Sequence, residues 1–445
     1  MHKTLPLVLR HIMYSLRGGF LVRPLIIALT LGCAGAVLSW IEETVPGSSS
    51  WVPAVLFPSA EDPQTAQVIL GGIATSIMTV VSIVFAILLM TLTLASMQFS
   101  PRIIISFVKD RVTQWTLGVF LGTFSYCMAA LPAARSAPKP FAPVATVVGA
   151  MLLAFACVCW LLFFIHHVSQ AISVGHIVDR IASETEDVIR EMMPWPHKGQ
   201  NLSRDDTVQP DSWTMPVFSQ KSGYIRFIDL GRLILLTKAN HVKVHVVRRV
   251  GQFVPARTPL LMVYKGERLS QEKMAEFHSA FDLGPSRTLQ QDIEFGVLQI
   301  VDIALKAISP AVNDPTTAVG CVDQLSRILI QYASGEPPAC LLYDPPGVAR
   351  VSIPWIDFQG LLTSAFEQIR LYSKTDLAVS LRMLRALADI ASTTSEPEYG
   401  QALLRLGSRI VAGCEETLSE EELKPMRDRL RRLSKLVENA AGMKA

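Results

Sequence analysis

The chain reads as an α-helical integral membrane domain with four transmembrane helices, followed by a cytoplasmic α+β region. That region comprises a small barrel-sandwich-like β-domain and a C-terminal helical domain. Three observations lead there. Charged residues make up only 18% of the 445 residues, where about a quarter is usual in soluble proteins. The deficit is local: almost no charge falls within four apolar stretches before Gln170, and later residues have ordinary composition. Beyond residue 212, short β-branched runs come first and helical periodicity follows.

Residues 1–23 carry Lys3, Arg10, Arg17 and Arg23 and no acid. The apolar run Pro24–Ile41 follows, just long enough to span at about 20 residues. A signal peptide competes with this reading, with Cys33 of Thr30-Leu31-Gly32-Cys33 as a lipidation site. Thr rather than Leu stands three before the cysteine and more spans follow, so an uncleaved anchor is expected. Residues 42–66 contain Glu42, Glu43, Glu61 and Asp62 but no Lys or Arg.

The second span, about 67–100, is uncharged throughout and free of proline until Pro101. At 1.5 Å per residue it measures roughly 50 Å against a hydrocarbon core of about 30 Å. Gly72, Thr79, Ala86, Thr93 and Ser100 recur every seventh residue. Thr75, Ser82 and Ser96 do the same, with Leu89 filling the gap. The two rows merge into one narrow stripe of small and hydroxyl side chains. Small residues let transmembrane helices approach closely; a water-filled path between several copies would use the same residues. Both readings stay open here. The stripe carries no charge, which argues against ion-coupled transport. Gln98, Pro101 and Arg102 form an elbow at the inner mouth, where proline ends the helix and arginine reaches lipid phosphate.

Spans three and four cover about 114–131 and 143–165. Lys and Arg are richest before span one and after span two, so both termini are expected in the cytoplasm. The seven cysteines have no zinc or redox spacing and are expected as free thiols. His166 and His167 are adjacent, point in different directions, and are read as interfacial rather than metal ligands.

The expected organisation is a membrane domain over 1–174, a connecting helix and linker over 175–212, the β-domain over 213–266, and the helical domain over 267–445. In the β-domain GYIRFIDL, LILLTKA, HVKVHVVRRV and PLLMVY read as strands. An amphipathic helix over 287–308 has Ile293, Val297, Ile300 and Ala304 on one face. Asp292, Gln299, Asp302 and Lys306 lie on the other, and with Asn313 and Asp314 they form a possible ligand corner. Asp314 before Pro315 is also a helix cap for residues 316–333. A Pro- and Gly-rich loop is expected over 335–354, then helices near 357–373, 376–392 and 397–418. A basic tail holds Arg427, Arg429, Arg431, Arg432 and Lys435, read as a solvated face or a contact for anionic lipid. The net charge of +3 and the absence of any basic-aromatic patch give no case for nucleic acid.

Several stretches resemble the bacterial predicted membrane protein family known as domain of unknown function 2254. They are Ser96-Met97-Gln98-Phe99-Ser100-Pro101-Arg102, Phe164-Ile165-His166-His167, Ser222-Gly223-Tyr224-Ile225 and Gln291-Asp292-Ile293-Glu294-Phe295-Gly296. The longest runs from Ser309 to Ala318, and Gln368-Ile369-Arg370 fits as well. The resemblance implies a multi-pass inner-membrane protein and no assigned activity. SGYIRFID and GQFVPARTPLLMV also look like a biotinyl/lipoyl-type module, without its attachment lysine. No nucleophile–base pair, HExxH or Gly-rich phosphate loop is present, so no enzyme activity, cofactor or metal is expected. The expected function is an oligomeric, channel-like membrane protein with span two at its axis and a cytoplasmic regulatory domain. The alternative is a non-conducting scaffold or sensor whose cytoplasmic domain binds a ligand or protein.

Overall fold

A computed structural model describes residues 22–45, 49, 52, 62–98, 111–136, 140–171, 173–192, 215–264, 269–335, 340–344, 347–394 and 396–442. The chain divides into two compact units, 1–173 and 174–445.

Among the described residues the first unit holds four α-helices: α1 (Val22–Thr44), α2 (Pro63–Gln98), α3 (Arg111–Ala130) and α4 (Val144–Ala171). With the 3-10 turn Leu131–Ala133 that follows α3, they provide four stretches long and apolar enough to cross a membrane: Val22–Thr44, Pro63–Met90, Val112–Ala133 and Val144–Val168. α1 lies against α3, and glycines set the approach. A Cβ on Gly35 would stand 2.5 Å from the Tyr126 carbonyl oxygen, and one on Gly32 3.3 Å from the Ser125 Cβ. From the other side Gly118 and Gly122 receive Ile27 and Leu31. This Gly-x-x-x-Gly pair on α3 is a close-packing signal. α2 and α4 pack on α3 through Leu70, Ile77, Val84, Phe120, Tyr126, Val147 and Phe164.

At one end of the bundle, polar groups join the helices. Glu42 near the end of α1 accepts the Ala145 amide at 2.7 Å and the Thr146 amide at 2.9 Å. It also accepts the Thr146 hydroxyl. Tyr126 donates to the Thr146 carbonyl at 3.1 Å, and Gln67 Nε2 to the Ala134 carbonyl at 2.6 Å.

The second unit begins at α5 (Val174–Met192), which is separate from α4 rather than its continuation. Ile177, Val178, Ile181, Ala182, Val188 and Ile189 are buried, so α5 is part of this unit's core and not a free connector. The linker expected over 194–212 lies outside the described residues.

Next come β1 (Met215–Phe218), β2 (Gly223–Ile228), α6 (Leu230–Ala239), β3 (Lys243–Val246), β4 (Phe253–Val254) and β5 (Pro259–Tyr264). The short α7 (Gln271–Glu276) and β6 (Phe281–Gly284) follow. LILLTKA is therefore helix, not strand. Asp229 accepts the Arg232 amide at 2.9 Å as the N-cap of α6, and Leu233 and Thr237 face the core. An apolar run alone does not separate the two states; the cap and the packing do.

The strands form two sheets, β1-β5-β3-β8-β7 and β4-β2-β6. β7 (Leu341–Asp344) and β8 (Val348–Ser352) arise where a loop was expected. β8 pairs in parallel with β3, Val244 against Val351 and His245 against Ser352. β6, β7 and β8 all lie beyond residue 266, so the sheets are not closed by residues 213–266 alone, as the barrel-sandwich reading required.

The helices are α8 (Ile293–Ala307), α9 (Pro315–Ser334), α10 (Phe358–Tyr372), α11 (Leu377–Thr393), α12 (Pro397–Cys414) and α13 (Glu420–Gly442). α8 is the centre, packed by α5, α9 and α10. α9 carries Arg327, which grips α5 through Glu186 at 2.6 and 2.8 Å and Asp179 at 2.8 Å. The basic tail is the helix α13, docked by Leu423, Met426 and Leu433 onto α11 and α12.

Candidate functional site

The α2 stripe is the first candidate. The face of α2 that packs within the chain is Ala66, Leu70, Ala74, Ile77, Val81 and Val84. At 100° per residue the stripe falls on the opposite side. Gly72, Thr75, Thr79, Ser82, Ala86 and Thr93 are all exposed. A Cβ at Gly71 or Gly72 would meet nothing within 4 Å. These six residues therefore form no buried seam with α1, α3 or α4; glycines on α1 and α3 take that work instead.

Three of the hydroxyls bond within α2. Thr79 donates to the Thr75 carbonyl at 3.0 Å, Ser82 to Met78 at 3.0 Å and Thr93 to Leu89 at 2.8 Å. Such bonds let a hydroxyl lie in an apolar setting without an orphaned proton. Beside the upper stripe an open groove of about 430 Å³ is walled by Gly71, Ala74, Thr75, Met78, Thr79 and Ser82 of α2 and by Phe124 and Met128 of α3. Ser96 and Gln98 belong to α2, but their side chains lie outside the described residues. Ser100, Pro101 and Arg102 lie outside them altogether.

The second candidate, the polar residues around α8, does not converge on one point. Asp292 caps the start of α8, accepting the Phe295 amide at 3.1 Å. Asp302 and Lys306 are near the other end, about 15–20 Å further along at 1.5 Å per residue. Asp292 and Gln299 are buried rather than on a solvent face, because α8 is enclosed by three helices. Lys306 and Asn313 are exposed, and Asn313 has φ 50° at the turn into α9. Asp314 caps α9 by accepting the Thr317 amide at 3.1 Å and the Thr317 hydroxyl at 2.5 Å. Those hydrogen bonds hold its carboxyl below the ordinary value.

A denser polar cluster forms at the start of α8 from residues the sequence reading did not join. Arg287 donates to both oxygens of Asp292 at 2.7 Å and to Glu294 at 2.9 Å. Arg249, after β3, grips Glu294 with two bonds of 3.0 and 3.1 Å. Ser364 of α10 adds a third donor to Glu294 at 2.9 Å. Gln291 meets the Ile228 amide at 2.9 Å and carbonyl at 3.2 Å, tying the motif to β2. Gly251, at φ +87°, has no room for a Cβ, which would stand 2.2 Å from Asp292 Oδ2. Burial raises the Glu294 pKa, but the bonds and charges of Arg249 and Arg287 outweigh it and hold the carboxyl below its ordinary value. Two guanidiniums and two carboxylates close on one another, with space beside them of only about 20 Å³. The cluster is a structural lock between sheet and helices. Among the described residues, no group of three or more His, Cys, Asp or Glu could hold a metal ion.

Comparison with known proteins agrees with this architecture. A family model described as "Predicted membrane protein (DUF2254)" matches residues 17–389. The uncharacterized protein Mb1321c of Mycobacterium bovis is 29% identical over 414 residues, which is 90% of this chain and 77% of that protein. The uncharacterized protein Rv1290c of Mycobacterium tuberculosis is similar to the same extent and with the same coverage. No solved structure matches. The chain belongs to the DUF2254 family of predicted membrane proteins.

Proposed function

We propose that this membrane protein assembles as a homo-oligomer in which α2 of each copy turns its hydroxyl stripe to an axis shared with its neighbours. The result is a channel-like path lined by Thr75, Thr79, Ser82 and Thr93. In this reading the second unit is a cytoplasmic regulatory module, the membrane is the bacterial inner membrane, and no catalytic step is involved. The observation that carries it is the exposure of Gly72, Thr75, Thr79, Ser82, Ala86 and Thr93 on the side of α2 opposite its packed face. A 28-residue apolar span has no need of regularly spaced hydroxyls if it meets only lipid. The stripe is uncharged, so such a path would discriminate weakly by charge.

A second reading has its own support. The bonds from Thr79, Ser82 and Thr93 back to their own helix suit a dry seam between copies. The protein would then be a non-conducting scaffold or sensor whose cytoplasmic unit binds a ligand or protein.

Conductance separates the two. Purified full-length protein in planar bilayers should carry current, and Thr79→Leu and Thr93→Leu should each reduce it while the oligomer persists. An oligomer without current supports the dry seam. A monomer without current ends both assemblies.

A further inference from the structure

We propose that Arg382, Arg385, Arg429 and Arg432 form a binding site for a phosphate-bearing anion. The inference is independent of the pore reading.

The four arginines are brought together by two packed helices, α11 and α13. Arg429 of α13 donates through Nη1 to the carbonyl of Leu381 in α11. That bond sets its guanidinium next to Arg382 in sequence and one turn from Arg385. Arg432 lies one turn beyond Arg429 on α13. Opposing charge is sparse. Asp323 of α9 accepts from Arg382 Nε. Asp389 is 3.9 Å from Arg385 Nε, too far for a hydrogen bond. Among the described residues, Arg429 and Arg432 have no carboxylate partner.

The other arginines of α13 are different. Arg427 binds Glu420 at 2.8 Å and reaches Glu415 at 3.7 Å, and Arg431 is paired with Asp428. Arg427 and Arg431 are thus neutralised by acids near them in the chain, while Arg429, bonded to α11, and Arg432, one turn from it, are left uncompensated. Burial, then the charges of Arg385, Arg382 and Arg432, lowers the proton affinity of Arg429. Arginine cannot escape such repulsion by losing its proton at ordinary pH. A bound anion relieves it. Guanidinium forks match the spread oxygens of phosphate, and several neighbouring forks favour that group over a single-point anion. A free phosphate compound and a lipid headgroup present the same chemistry.

The test uses the full chain in a neutral detergent. One arm titrates inorganic pyrophosphate by calorimetry. The other follows the thermal unfolding midpoint as micelles are doped with phosphatidic acid or with phosphatidylcholine. Saturable binding in either arm is expected, weakened about tenfold or more in R385Q/R432Q. R431Q removes the same kind of charge from the same helix but outside the cluster, and should bind as wild type. Pyrophosphate binding alone identifies a soluble ligand; a response to phosphatidic acid alone identifies the headgroup. If the double variant does not fold, R432Q by itself should weaken binding several-fold. No saturable binding by the wild type, or equal weakening by R431Q and R432Q, overturns the proposal.

Discussion

Glu42 holds the first turn of α4 through Thr146: one carboxylate oxygen takes both the Thr146 amide and its hydroxyl, while the other takes the Ala145 amide at 2.7 Å. An acid from a different helix is thus the cap of α4. It satisfies two of the amides that every helix start leaves open, and its charge lies at the positive end of the helix dipole. Glu42→Ala should lower stability by about 1–2 kcal/mol. Glu43 is the control: its pair with Arg135 is substantially exposed, and Glu43→Gln should change stability by less than about 1 kcal/mol. Thermal unfolding of both variants in one detergent measures the difference.

Two glycines should respond in opposite ways to the same added methyl group. At Gly35 the Cβ meets the Tyr126 backbone, which has nowhere to move. Gly35→Ala should cost about 1–3 kcal/mol through forced separation of α1 and α3. At Gly72 nothing lies within 4 Å. Gly72→Ala should leave the single chain as stable or better by about 0.5–1 kcal/mol, since alanine is the better helix former. Unfolding curves at high detergent dilution report these values.

A bulkier change on the stripe tests assembly. Gly72→Leu has room within one chain, so secondary structure and unfolding should be retained. Cross-linking in membranes should show fewer high-order species than wild type if the stripe is an interface between copies. Unchanged cross-linking would place the interface elsewhere.

Glu294 makes stability depend on acid. Its carboxyl titrates below the ordinary value of 4.5 in the folded protein. The stability it supplies is therefore fully present above pH 4.5 and is lost as pH falls through the lowered value. Glu294→Gln should cost about 3 kcal/mol near neutrality, because Arg249 and Arg287 lose their shared partner. The variant should also show a shallower loss of stability below pH 4.5 than wild type. Denaturation midpoints across pH 3–7 check both effects.

At the α8–α9 corner, Asp314→Ala should remove about 1 kcal/mol by uncapping α9. Asp314→Asn, which keeps an acceptor for the Thr317 amide, should lose less. Equal losses would show that the charge rather than the hydrogen bond matters there.

What could be read from the sequence was what local chemistry decides. The four spans follow from apolar length, and β3 follows from the alternation of Lys243-Val244-His245-Val246, whose valines are buried. The caps at Asp314 and the ends of α9 to α11 follow from short-range signals. What failed depended on partners far along the chain. Leu341–Asp344 and Val348–Ser352 are strands because β3 offers an edge about a hundred residues earlier. The stripe was visible on α2, but its direction was not, because the helix-facing side is decided by which residues α3 and α4 present. The lock at Glu294 joins Arg249, Arg287 and Ser364 from three separate segments. No spacing rule links them. Gln291, Asp292 and Glu294 nonetheless lie together in one short motif: Gln291 engages Ile228, while Asp292 and Glu294 share Arg287.

The parallel pairing of β3 with β8 also orders events during synthesis. β3 leaves the ribosome with one edge satisfied by β5 and the other open until residues 348–352 emerge. At about 5–20 residues per second that interval is roughly 5–20 s. Through it the nascent chain exposes an unpaired edge rich in valine, a template for mispairing. Recombinant fragments that stop near residue 266 would keep that edge permanently, so a fragment of the second unit should run past Ser352.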